Sequence, residues 1–193
     1  MLKEYNKKRN FETTTEPKGE IMSQNSKENK KNKNTVNLDK KTEKINKKTE
    51  NLNKKAKKSS KNQKIFVIQY HVARAKHYDL RLEHNGVLLS WAVPKGLSQN
   101  PKDKRLAVMV EDHPIEYANF EGVIPKGNYG AGSVEIFDSG NYEQLESFNK
   151  GLKKGHLKFV LNGKKHKGAW SLVKTDEKNW LAIKQNDKFA VTK

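Results

Sequence analysis

The sequence predicts a mainly β fold, an antiparallel sandwich or barrel, on three observations. From Ile65 onward short apolar or alternating runs follow one another. Asn-Gly and other Gly- or Pro-containing breaks separate them. Before Ile65 the chain is polar and lysine-rich, with too few apolar residues to build a core. The 193 residues are enough for one ordinary domain with a real core.

In chain order, residues 1–20 form a leader in which Tyr5, Phe11, Glu16-Pro17 and Gly19 have the character of a segment that docks on a folded surface. Residues 21–64 are dominated by Lys, Asn, Ser, Thr and Glu, with isolated apolar residues such as Ile45 and Leu52, and are expected to be a disordered linker. Residues 65–193 form the folded domain. Its expected strands are Ile65–Tyr70, His77–Glu83, Val87–Val93, Leu106–Glu111, Ser133–Asp138, His156–Leu161, Ala169–Lys174 and Trp180–Lys184. The breaks include Asn85-Gly86, Pro94-Lys95-Gly96, Pro125-Lys126-Gly127, Ser139-Gly140 and Asn162-Gly163. A short helix is expected over Ser147–Lys154, with Ser147 at its cap and Phe148 and Leu152 four apart on one face.

The chain has no cysteine, so a metal would have to bind through His, Asp or Glu. The first residues carry charge without an apolar core, and no uncharged apolar run approaches the ~20 residues of a membrane span, so a cytoplasmic protein is expected. The formal net charge is +18, a strong bias toward polyanions such as nucleic acid. Residues 1–64 hold 20 Lys+Arg against 8 Asp+Glu, so most of the excess lies ahead of the folded domain, where it supplies affinity rather than chemistry.

The chemistry-bearing stretch is His71 to Arg81. Alternate strand side chains point to opposite faces, so His77, Asp79 and Arg81 share one face while Tyr78, Leu80 and Leu82 share the other. His71 lies one short segment upstream. Two imidazoles and a carboxylate, His71, His77 and Asp79, suit Mn²⁺, Zn²⁺ or Fe²⁺ with positions left open for water and substrate. The same alternation puts Arg105, Glu111 and His113 on one face of the next segment and Leu106, Val108 and Val110 on the other. Facing one cavity, Arg81 and Arg105 would clamp a phosphate, and Lys95 in its Pro-Lys-Gly turn is a natural third cation. The plainer alternative makes both arginines ion-pair partners of Glu83 and Glu111. His84, His156 and His166 are expected to be solvent-exposed. The run Gly127-Asn128-Tyr129-Gly130-Ala131-Gly132 precedes a strand-like segment rather than a helix, so it is expected to be a tight turn, with Tyr129 closing over a site.

Taken together, Phe66–His71, His77–Glu83, Ser90–Gly96, Lys104–Val108, Val110–Pro114, Tyr117, Phe120–Pro125 and Tyr129–Gly132 resemble the 3′-phosphoesterase domain family of bacterial DNA ligase D, here as a stand-alone member. The likeness covers essentially all of residues 65–193, and Tyr5, Lys8-Arg9, Phe11 and Glu16-Pro17 are similar to the family's N-terminal element.

The resemblance implies a compact, closed or nearly closed antiparallel β-barrel with one or two short helices. It also implies Mn²⁺-dependent healing of 3′ ends in DNA strand-break repair: removal of a 3′-terminal ribonucleotide, and hydrolysis of a 3′-phosphate to a 3′-hydroxyl. His71, His77 and Asp79 are then the metal ligands, with Mn²⁺ or another divalent transition metal. Arg81, Arg105 and His113 surround the scissile phosphate, supported by Lys95, Glu111, Tyr117, Gln69 and Ser90. Arg9 and Glu16 of the leader are expected at the substrate. The implied partners are DNA or DNA/RNA primer 3′ ends, with DNA ligase and polymerase acting in trans. The protein itself is expected to be a nucleoid-associated monomer.

One departure separates the two activities. The family's leader usually has Lys-Arg-Asp-Phe where this chain has Lys8-Arg9-Asn10-Phe11, and in the family that acidic position belongs to the ribonuclease step. Two other readings of the residues stand beside this one. His77-x-Asp79 with a later His113 resembles the facial triad of Fe(II) oxygenases. A non-catalytic DNA-binding module with a basic arm would instead bind any duplex in a salt-sensitive way.

Overall fold

The computed structural model describes residues 2–20 and 64–192. The expected linker 21–64 lies outside the described residues except for Lys64, which opens the first strand. Nine strands follow: β1 (Lys64–Val72), β2 (Lys76–His84), β3 (Val87–Val93), β4 (Lys104–Met109), β5 (Gly122–Ile124), β6 (Gly132–Gln144), β7 (His156–Gly163), β8 (Lys167–Lys174) and β9 (Asn179–Lys184). They pair antiparallel in the order β1-β2-β3-β4-β9-β8-β7-β6-β5, and β6 also pairs with β1. That last pairing closes eight strands into a barrel and leaves β5 as an added strand on β6.

The turn chemistry explains much of the register. Asn85 and Gly86 both have positive φ (51° and 79°), as a two-residue hairpin turn between right-twisted strands requires. Gly132 also has positive φ, and a Cβ there would run into the Val72 carbonyl, so the close approach of β6 to β1 depends on glycine.

The barrel interior is lined from every side. Trp91 on β3 and Trp180 on β9 have ring centroids 6.0 Å apart although β4 lies between their strands, so they meet across the interior. Phe66, Ile68, Leu80 and Leu82 face the same way as Trp91, and Leu157, Phe159, Leu161, Trp170 and Leu172 close the other side. Each such side chain stabilises the fold by roughly 1.5–3 kcal/mol relative to exposure. Helix α2 (Phe148–Lys154) matches the expected helix and buries Phe148 against Tyr142, ring centroids 5.7 Å apart. Ser147 stands at its cap but makes no side-chain capping bond.

Three elements escape the sequence pattern: the five-residue helix α1 (Lys3–Lys7), the 3₁₀ turn Ile115–Asn119, and β5. One face assignment is inverted. On β4 the buried residue is Ala107, opposite Trp180, whereas Leu106 is 44% exposed. The small Ala107 fits beneath a tryptophan, so it, rather than Leu106 and Val108, takes the inward position. Arg105 shares the inward parity of Ala107.

Candidate active site

On β2 the inward residues are Leu80 and Leu82, so His77, Asp79 and Arg81 project from the outer face of the barrel. Cross-strand pairing sets His71 opposite His77, Gln69 opposite Asp79, and Ser90 opposite Arg81. The 3₁₀ turn and the leader cover this outer patch, which is why Gln69, Asp79, Arg81 and Ser90 are buried while facing away from the core.

The ligand atoms of His71, His77 and Asp79 all lie within 4.8 Å of one another, the one such group among the described residues. Each ring is held by its second nitrogen. His71 Nε2 donates to the Gly130 carbonyl (2.8 Å), leaving Nδ1 3.7 Å from Asp79 Oδ2. His77 Nδ1 donates to the Ala75 carbonyl (3.0 Å), leaving Nε2 3.6 Å from Asp79 Oδ1. Carbonyl-fixed tautomers with both free nitrogens aimed at one carboxylate are the usual support of a metal site, so the donor set fits a divalent transition ion. Burial works to raise the Asp79 carboxyl, but Arg81 and the neighbouring imidazoles of His71 and His77 outweigh it and hold it below the ordinary value.

Arg81 is fixed by three acceptors. Its Nε donates to Gln69 Oε1 (2.7 Å), Nη1 to Ser90 Oγ (2.9 Å) and Nη2 to Asp79 Oδ2 (2.9 Å), and its guanidinium lies 4.7 Å from the centre of the Tyr117 ring. Gln69 in turn donates to the carbonyls of Tyr117 and Phe120, tying the 3₁₀ turn to β1.

His113 bridges back to Leu88 and so is delivered beside Ser90, whose Oγ lies 3.3 Å from its Nδ1. Its Nδ1 donates to the Glu111 carbonyl, and its Nε2 accepts from Arg9 Nη2 at 3.1 Å. Burial, then Arg81 and Arg9, push the imidazole well below its ordinary pKa, so it is neutral in this arrangement. Arg9 further donates to Glu16 (2.9 Å) and Glu111 (3.0 Å), and Tyr117 donates its hydroxyl to Glu16 (3.0 Å). The leader therefore reaches the site across 102 residues of sequence separation between Arg9 and Glu111.

Nine of the residues singled out from sequence line this patch or lock its lining directly: His71, His77, Asp79, Arg81, Glu111, His113, Tyr117, Arg9 and Glu16. Gln69 and Ser90 sit beneath Arg81. The cavity above them has a volume of about 660 Å³.

Two expected residues are elsewhere. Arg105 donates to Asp103 (2.9 Å) and does not line the cavity, because the inverted parity of β4 turns it inward; Glu111 and His113 reach the site only because the strand ends at Met109. Lys95 is exposed and lines a second cavity at the end of the barrel, since β3 carries the Pro94-Lys95-Gly96 turn past the outer patch. The facial-triad grouping of His77, Asp79 and His113 is also not formed. The third imidazole beside His77 and Asp79 is His71, and His113 is engaged with Arg9. His84 and His166 are buried rather than exposed, at Asn149 and Asp138 respectively.

Sequence reasoning missed Arg74, an exposed cation on the β1–β2 turn that lines the cavity, and Asn128, which accepts from Thr13 of the leader. Both lie in turns, where no periodicity points to a face. The Gly127–Gly132 run is the expected tight turn. Its Gly130 carbonyl orients His71, and Tyr129 lines the cavity.

Residues 69–174 match the profile of the family described as the DNA Ligase D 3'-phosphoesterase domain. Among curated proteins, the multifunctional non-homologous end joining protein LigD of Pseudomonas aeruginosa is 49% identical over 126 residues, covering 63% of this chain and 15% of that protein. Its Mycolicibacterium smegmatis counterpart is 50% identical over 133 residues, covering 65% and 17%. The multifunctional non-homologous end joining DNA repair protein LigD of Mycobacterium tuberculosis H37Rv is 51% identical over 117 residues, covering 61% and 15%. The chain thus spans 15–17% of the length of these relatives.

Proposed function

Because the chain belongs to the DNA ligase D 3′-phosphoesterase domain family, we propose that it is a metal-dependent phosphoesterase that processes DNA 3′ ends, hydrolysing a 3′-phosphate to a 3′-hydroxyl. The observation that carries the reading is the contact of Arg81 with Asp79. One side chain links the His71–His77–Asp79 group to the anion-binding patch, so a phosphate held by Arg81 would also sit at the metal position.

A divalent cation, Mn²⁺ in this reading, would polarise a phosphate oxygen and lower the pKa of a bound water. The chain's own residues do the rest. Arg81, already oriented by Gln69, Ser90 and Asp79, stabilises charge on the phosphoryl group without reorganising. His113 enters neutral. An arriving phosphate dianion offsets the two arginines and lets Nε2 take a proton from solvent as the substrate binds, after which it holds a phosphate oxygen or gives that proton to the leaving 3′-oxygen. Arg9 moves from His113 to the phosphate in the same step, with Glu16 and Glu111 keeping it near. Tyr117 braces Arg81 and Glu16.

The names of the relatives support a role in non-homologous end joining; that this chain works in the cytoplasm at DNA or DNA/RNA primer termini, with ligase and polymerase acting in trans, is part of the same proposal. Removal of a terminal ribonucleotide belongs to the same proposal. The test is product analysis on 5′-labelled primers ending in a 3′-phosphate or in one ribonucleotide, with Mn²⁺ and with chelator. Metal-dependent release of phosphate that vanishes in His77→Ala is expected. Near-full activity in that variant would sink the metal assignment.

A further inference from the structure

The outer cavity is larger than a phosphate and a metal ion need. At about 660 Å³ it lies well inside the range of small-ligand sites and has room for a nucleoside beside the His71–His77–Asp79 group. Two tyrosines line it, and they differ in what their rings touch. Tyr117 is 2% exposed and its ring is engaged on all sides: edge-on to Tyr5 and His113, tilted on Phe120, and beneath the Arg81 guanidinium. Tyr129 is 49% exposed. Among the described residues its ring meets two cations, Lys8 Nζ at 4.8 Å and the Arg9 guanidinium at 5.6 Å from its centre, and no other ring. An aromatic surface is thus left open on a cavity that also presents Arg9, Arg74 and Arg81.

The turn beneath Tyr129 holds that ring in place. Gly127 and Gly130 have positive φ (95° and 78°), and the turn is closed by Asn128 donating to the Pro125 carbonyl and Ala131 to the Asn128 carbonyl, both at 3.2 Å. It is pinned on either side of the tyrosine. Thr13 Oγ1 of the leader donates to Asn128 Oδ1 (2.9 Å), and His71 Nε2 donates to the Gly130 carbonyl (2.8 Å). The ring therefore stands one residue from the group that orients a metal-group imidazole, while belonging to no part of the buried core. Ala73, Ala75 and Ala131 are also part of the lining, and their small side chains leave space for a flat base. Every base has a π-face, so stacking on such a ring takes any of the four.

We propose that Tyr129 is the stacking platform for the 3′-terminal base: the terminal phosphate lies at Arg81 and the metal group, the sugar spans the cavity, and the base rests on the ring. The proposal rests on the 3′-end reading given above and adds a base subsite to it. That subsite makes the protein selective for ends that still carry their last base over ends that have lost it, with little preference among the four bases.

The test uses the full chain with Mn²⁺ in two arms. In the first, the DNA ends in a 3′-hydroxyl, so that no turnover occurs, and its last base is 2-aminopurine, whose fluorescence falls when a further ring stacks on it. A dye at the far 5′ end reports occupancy. Quenching on binding is expected, kept in Tyr129→Phe and lost at equal occupancy in Tyr129→Leu, which retains apolar bulk without a ring. Tyr129 is half exposed on a turn, so both variants should fold. In the second arm, phosphate release is compared as kcat/KM on 3′-phosphate ends whose last residue carries a base or is abasic. A preference of about tenfold for the base-bearing end is expected from one stacking contact. Tyr129→Leu should bring that ratio near one and Tyr129→Phe should keep it. An unquenched base in the unaltered protein, or quenching that persists in Tyr129→Leu, overturns the proposal. So does a ratio that is near one in the unaltered protein, or unchanged in Tyr129→Leu, while phosphate is released. No release from either end alongside ring-dependent quenching would remove the phosphoesterase reading and keep the base site; release without ring-dependent quenching would remove only the site.

Discussion

Arg9 Nη2 donates to His113 Nε2 at 3.1 Å, joining two residues 104 positions apart. The leader is thus part of the site wall: Tyr5 packs edge-on to both His113 and Tyr117, and its hydroxyl donates to Pro17, folding the leader back on itself. Lys8 and Arg9 both end on Glu111, so one carboxylate holds the leader to the segment after β4. Burial works to raise that carboxyl, but its own backbone, Lys8 and Arg9 hold it below the ordinary value.

Arg9→Ala removes one partner from each of Glu16, Glu111 and His113. Breaking a buried ion pair in this way costs roughly 3–5 kcal/mol when the remaining charge stays buried. Expected outcomes are a lower urea midpoint and at least about a tenfold loss of phosphate release, since roughly 1.4 kcal/mol of lost transition-state stabilisation gives that factor. An activity and a midpoint both matching the unaltered protein would mean that the leader only rests on the site.

Most of the barrel was legible because β-strands announce themselves by alternation and by their turns. Asn85-Gly86 marks the β2–β3 hairpin, and the polar parity of His77, Asp79 and Arg81 is realised on the outer face. Alternation failed on β4, where Ala107 faces Trp180 and Arg105 is carried inward, because a small residue under a large ring outranks the apolar pattern of its neighbours. It was also silent about β5 and the 3₁₀ turn, too short to show a period, and about Lys95, whose turn lies at the His77 end of β2 but on its inner side, against Tyr78. His166 looked exposed among lysines, yet Asp138, 28 residues earlier, draws it in. Spacing along a chain carries no signal for such a pair.

Arg81→Lys keeps the charge but loses the planar fork. An ammonium on a flexible stem cannot hold Gln69, Ser90 and Asp79 in one plane. With two charged-group hydrogen bonds lost at about 1.5 kcal/mol each, phosphate release is expected to fall about a hundredfold. Mn²⁺ binding, followed by titration calorimetry, should persist because the three ligand side chains remain. A variant with more than about a third of normal activity would show that charge alone is enough there.

Asn10 is exposed, and its Oδ1 accepts from the Glu12 backbone N–H at 3.1 Å, a bond that an aspartate makes equally well. Asn10→Asp should therefore leave the leader's fold unchanged while introducing the acid that the resemblance of the leader implies at this position. The expected outcome is a gain of about tenfold or more in release of a 3′-terminal ribonucleotide. Phosphate release from an all-DNA 3′-phosphate end is the comparison. A parallel rise in both would trace the effect to general binding rather than to the ribonuclease step.

His113 makes the metal-free protein sensitive to mild acid. Burial and the guanidiniums of Arg81 and Arg9 push its folded pKa well below the unfolded value of 6.5. Above about pH 6.5 neither state protonates it and its contribution is complete. As pH falls below 6.5 the unfolded chain takes up a proton that the folded one refuses, so stability drops until the folded pKa is reached. Asp79 has the same sign but a separate window, beginning only below its unfolded value of 3.8. The urea midpoint should therefore fall from pH 7 to pH 5 in the unaltered protein, and the slope over that range should be smaller in His113→Gln. Equal slopes would place the acid sensitivity on another group and remove the argument that His113 is held neutral before substrate arrives.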